Sequence, residues 1–78
     1  MNKDRRKALR AISAKIEDLK EELEAIKGEE EAAKEALPES MQSGAKGEAM
    51  DEAILKLEDA CNSIDETIVQ ISDACGEA

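Results

Sequence analysis

The sequence contains no histidine, tryptophan, tyrosine or phenylalanine. Without histidine it lacks the commonest general base and metal ligand. Without aromatic rings it has no platform on which single-stranded nucleic acid stacks, and no box for a nucleobase or quaternary amine. No apolar run approaches the length of a membrane span. The basic start is not followed by an uninterrupted apolar stretch, so it does not read as a secretion signal. The cytoplasm of its host cell is therefore the expected compartment, with no membrane association.

The missing chemistry extends to catalysis. There is no phosphate-binding glycine loop and no dinucleotide fingerprint. Carboxylates are abundant, but an exposed helical carboxylate is not a tuned acid. Inward Glu-x-x-His di-iron patterns require histidine. Cys61 and Cys75, the only cysteines, make no zinc set by themselves. No catalytic residue, metal or cofactor is expected, and the sequence reads as non-enzymatic.

What is present is 41% hydrophobic and 40% charged residues in 78 positions. That much apolar content, regularly spaced, argues for order despite the charge. Leu9, Ile12, Ile16, Leu19, Leu23 and Ile26 alternate three and four apart. Continuing the rhythm gives Glu30, Ala33 and Leu37, a heptad seam with one charged interruption. The first helix is expected from about Lys3 to Leu37, with Asn2 as its N-cap and Asp4 in its first turn. Pro38 ends it, because the residue before proline is pushed out of the helical region.

Residues 38–47, PESMQSGAKG, are the expected loop. Ser43 is a candidate cap for an earlier start of the next helix. That helix is expected over about 48–75. Met50, Ile54, Leu57, Cys61, Ile64, Ile68, Ile71 and Cys75 form an unbroken seam, with Ala53, Ala60, Thr67 and Ala74 as a parallel stripe of smaller residues. Gly76 stands where a helix stop belongs. The fold class is all-α: a single antiparallel two-helix hairpin over residues 1–78. Two rods touching along one line enclose little core, so a chain of this size is expected to associate into a four-helix bundle or higher oligomer.

Cys61 and Cys75 are two heptads apart, roughly 21 Å along one helix. A disulfide needs Cα atoms within about 7 Å. They read as reduced core residues, with an intermolecular disulfide or a reactive thiol as the alternatives. Glu30 at a seam position is either a water-exposed seam end or ion-paired with Lys34 or Lys56; the sharper reading is a device that sets register or oligomer state.

Charge is unevenly placed. The net charge is −9, yet the first ten residues hold Lys3, Arg5, Arg6, Lys7 and Arg10 against Asp4 alone. The excess of carboxylates elsewhere disfavours direct duplex binding. Two readings of the basic cluster compete. It can be neutralised by the other helix end, near Asp73, Glu77 and the C-terminal carboxylate. Alternatively, the longer first helix overhangs by about seven residues, with Arg5 at a seam position, and several copies bring their arginine forks together around a phosphate or carboxylate. On the second reading the ligand or anion contacts are Arg5, Arg6, Lys7 and Arg10, with Ser40, Gln42, Ser43 and Lys46 from the loop. The acidic runs Glu29-Glu30-Glu31 and Asp51-Glu52 usually mean a solvated face, and as a DNA-mimicking track they would block a DNA-binding partner.

The opening NKDRRKAL, the loop LPESMQSGAKGEAM and the acidic helix EAILKLEDACNSIDETI resemble small acidic helical-hairpin proteins of unknown function encoded by phages and prophages of gut bacteria. The resemblance covers nearly the whole chain, and its specificity rests on the start and the loop. It implies a phage accessory protein of the bacterial cytoplasm that binds rather than catalyses. Such a protein would sequester a host-defence nucleotide signal or mask a host protein. Helical nucleotide-sequestering phage proteins use stacking aromatics, from which this chain departs. A structural adaptor that docks a partner helix is the other class of reading.

Overall fold

The structure, a computed structural model, describes residues 1–76. It contains three helices in chain order, α1 (Lys3–Glu35), α2 (Glu39–Gln42) and α3 (Ala45–Cys75), of 33, 4 and 31 residues. Helix accounts for 89% of the described residues, far above the usual third. α1 and α3 pack antiparallel as a hairpin, and α2 is a single turn within the connection. The molecule is a rod of 58 × 15 × 15 Å. Its radius of gyration is 17.6 Å, against about 11.5 Å for a compact chain of this length.

Asn2 caps α1 as the sequence indicated: its side-chain oxygen accepts from the Arg5 backbone N–H at 2.8 Å. α1 stops at Glu35, two residues before the expected Leu37. The Ala36 and Leu37 amides still bond back to Ala32 and Lys34, at 3.0 Å each. Pro38 then imposes an extended backbone, φ −54° and ψ 143°. At the other end, Gly76 adopts φ 61° and ψ 68°, the left-handed stop expected of a glycine after the last seam residue.

The loop is shorter than the expected 38–47. Its first half is helical as α2, and Gly44, rather than a residue near Gly47, caps α3. The Gly44 carbonyl accepts from Glu48 N–H at 2.9 Å, which carries the helix three residues earlier than expected. Gly47 is consequently buried inside the first turn of α3, against the backbone of Gln42. The early start of α3 makes the two long helices nearly equal, which removes the expected seven-residue overhang of α1.

The register between the helices is marked by two ion pairs, Lys20 Nζ to Asp65 Oδ1 at 2.7 Å and Lys34 Nζ to Asp51 Oδ1. Moving fourteen residues up α1 moves fourteen residues down α3, as an antiparallel register of whole heptads requires. Lys27 and Glu58 fall midway on the same two ladders.

On α3 the expected seam faces inward: Met50, Ile54, Leu57, Ile64, Ile68 and Ile71 are partly buried, and Cys61 and Cys75 are buried. On α1 only half of the expected seam does. Leu9, Ile16, Leu23, Glu30 and Leu37 are partly buried, and they alternate with Arg6, Ser13, Lys20, Lys27 and Lys34. Ile12, Leu19 and Ile26 instead stand 45, 57 and 52% exposed. The lysines tolerate the inner position because their aliphatic stems lie along the seam while the ammonium groups reach water and the carboxylates of α3.

The hairpin therefore has two unlike broad faces. Flanking the seam on one side are Glu17, Glu24 and Glu31 of α1 with Asp51, Glu58 and Asp65 of α3, into which the inner lysines reach. On the other side, Ile12, Leu19 and Ile26 each precede an inner residue of α1, just as Ala60, Thr67 and Ala74 precede Cys61, Ile68 and Cys75. In an antiparallel heptad pair, equivalent flanks lie on the same side. One broad face is ionic and the other is apolar.

Candidate functional site

The basic segment occupies the first two turns of α1. Its cations oppose the helix dipole, whose N-terminal end is already positive. They are offset by the other end of the hairpin: Arg6 Nε donates to the Cys75 carbonyl at 2.9 Å, satisfying one of the orphan acceptors at the end of α3. Arg6, rather than Arg5, is the arginine that turns inward, and it is partly buried. This contact is the neutralisation reading in part. Asp73 belongs to the same terminal turn, while Glu77 and the chain end lie outside the described residues. Arg5 and Lys7 are exposed.

Arg10 lies four residues further along, at the mouth of a groove of about 260 Å³ between α1 and α3. Ser13, Glu17 and Ser72 line its polar side, and Ile68, Ile71 and Cys75 its floor. A second groove of about 220 Å³ lies near the loop, between Glu31, Lys34, Gln42 and Asp51. Both open onto the ionic face. Pockets that enclose a drug-sized ligand run from about 300 Å³ upward, so each of these fits a phosphate, a carboxylate or one side chain.

The loop residues do not join the basic end. They sit at the opposite end of the 58 Å rod. Gln42 is committed to the fold: its Nε2 donates to the Leu37 carbonyl at 3.0 Å and the Glu35 carbonyl at 3.4 Å, closing the end of α1. Ser43 terminates α2 and does not cap α3. Ser40 and Lys46 are exposed. The eight expected contact residues therefore form two separate groups.

Glu30 is partly buried, and the Lys34 ammonium expected to meet it is paired with Asp51 instead. Lys20 is held above the usual lysine pKa, first by its hydrogen bond to Asp65 and against a smaller desolvation effect. Among the described residues, no group of three or more Cys, Asp or Glu is placed to hold a metal ion, and no helix is long and apolar enough to cross a membrane.

The apolar face was missed as a surface in its own right. Its signal lay in the sequence: Ile12, Leu19 and Ile26 repeat every seven residues, as do Leu9, Ile16 and Leu23. One helix of a hairpin covers only one of two such lines. No protein-family model, no curated protein and no solved structure matches the chain.

Proposed function

We propose that this chain is a non-enzymatic, oligomeric binding protein of the phage or prophage accessory kind it resembles, and that it masks a host protein. The supporting observation is how the rod divides its surface. One end presents Arg5, Lys7 and Arg10, one face carries ion-paired carboxylates, and the other face leaves Ile12, Leu19 and Ile26 uncovered. Small open grooves favour contact with another macromolecule's surface over enclosure of a small molecule. The exposed apolar line supports self-association, because the hairpin alone cannot cover it.

The test uses Arg5→Glu combined with Lys7→Glu, both at exposed positions. Affinity capture from host extract is expected to recover a specific protein with the wild-type chain and to lose it with the variant. Circular dichroism melts of the two chains are expected to coincide. Equal recovery by both chains would remove the basic end from the site.

A second reading has its own support, the Arg10 groove with the hydroxyls of Ser13 and Ser72. An anionic nucleotide seated there by its phosphate would raise the melting temperature of the wild-type chain and not of Arg10→Ala.

A further inference from the structure

We propose that the apolar face is covered by a second copy of this chain, stacked face to face with its loop at the opposite end. In this dimer α1 lies against α1, and α3 against α3. The inference rests on the oligomeric part of the functional reading and adds the surface, the occupant and the orientation.

The area argues for a copy of this size. The chain exposes 5749 Å². A compact monomer of 8.5 kDa exposes about 4,700 Å². The excess of roughly 1,000 Å² compares with the about 800 Å² that each partner of a standard interface buries. The face suits a twofold partner because its apolar line is centred on Leu19, with Ile12 and Ile26 seven residues to either side. A twofold axis through Leu19 sets Leu19 against Leu19 of the second copy, and Ile12 against Ile26 of the second copy. On α3 the same face carries Ala60 and Ala74, which permit close approach. Thr67 lies between them, its hydroxyl already bonded to the Ser63 carbonyl at 2.9 Å and needing no partner across the interface.

Charge selects the orientation. The first ten residues carry five cations against Asp4, and residues 29–52 carry eight carboxylates against Lys34 and Lys46. Two hairpins with loops at the same end would bring the two basic ends together and the two acidic ends together. With loops at opposite ends, the register that pairs Leu19 with itself sets residues 3–10 of α1 against residues 28–35 of the other α1. There Arg5, on the same heptad line as Ile12, Leu19 and Ile26, approaches Glu29 of the second copy, and Lys15 approaches Glu22 near the centre. Between the two α1 helices opposite charges then face each other at both ends, whereas loops at one end would gather like charge at each pole. The basic ends then sit at opposite poles of the dimer, so no ring of arginines forms.

Two measurements test this. In sedimentation at micromolar concentration, the wild-type chain is expected at twice 8.5 kDa. Leu19→Glu is expected to abolish the dimer. Leu55→Glu, a comparably exposed leucine at 56% on the ionic side of α3, is expected to preserve it. Cysteine cross-linking under glutathione disulfide decides the orientation even if Leu19→Glu unfolds the chain. Leu19→Cys is expected to cross-link to itself. Ile12→Cys and Ile26→Cys are expected to cross-link when mixed, and neither alone. A dimer in which Leu19→Cys fails to cross-link overturns this inference and leaves the oligomeric reading standing. A folded wild-type monomer overturns both.

Discussion

Among the described residues, the only buried side chains are those of Cys61 and Cys75, at 6 and 2% exposure. Both lie on the inner line of α3 and pack as small hydrophobes. Cys61→Ala or Cys75→Ala is expected to lower stability by about 1 kcal/mol through the cavity left behind. The readout is a shift in the urea midpoint at constant slope. Both thiols are free, so a reducing agent is expected to leave the wild-type melt unchanged, and a large drop on reduction would reveal a bond between chains. Gly28 works in the other direction. It lies in the interior of α1 with open space around the position of a β-carbon, so Gly28→Ala is expected to stabilise by about 0.5–1 kcal/mol. At Lys20, the pairing with Asp65 raises the lysine pKa above its unfolded value. Its contribution is therefore complete below the unfolded pKa and is lost as the pH rises through the folded one. In Lys20→Met the alkaline limb of the stability profile is expected to flatten at that point, which a pH series of thermal melts would show.

The long helices were legible in the sequence because heptad spacing, Asn2, Pro38 and Gly76 all act locally. Two features were not. The start of α3 depends on Gly47, which reads as a loop glycine until the chain is folded over it. A β-carbon there would fall 1.8 Å from the Gln42 carbonyl oxygen, far inside van der Waals contact distance. Gly47→Ala is accordingly expected to cost about 1–3 kcal/mol, against a gain at Gly28, even though both glycines are helical. Comparing the two variants in one denaturant series separates packing from intrinsic propensity. The inner line of α1 was the second feature. Leu9 to Ile26 contains two apolar lines seven residues apart in period, and periodicity alone does not say which one faces α3. The ion pairs mark the outcome: Lys20 and Lys34 lie on the line that faces α3, within reach of Asp65 and Asp51, and Ile12, Leu19 and Ile26 stand outward. The basic segment was visible as charge, but the inward turn of Arg6 onto the Cys75 carbonyl depends on the register between the helices.

A rod with a radius of gyration of 17.6 Å and, among the described residues, two buried side chains has little to oppose the conformational entropy of its chain. The exposed ion pairs add little, since such pairs are typically worth under about 1 kcal/mol each. The stabilising area that remains is the apolar face, which is removed from water only by association. On the proposed dimer, folding and assembly share one core, and an equilibrium between folded dimer and unfolded chains is expected to depend on protein concentration. A tenfold dilution lowers the stability of the dimer by about 1.4 kcal/mol. For two chains of this length, that corresponds to a fall in melting temperature of about 3–6 °C. Leu23→Glu on the inner line of α1, or Ile64→Glu on that of α3, places an unpaired carboxylate in the seam. Either variant is expected to lose helicity and association together, with circular dichroism and sedimentation transitions that coincide. A melting temperature that stays fixed across a hundredfold range of concentration would show that the hairpin folds alone, with its apolar face left in water.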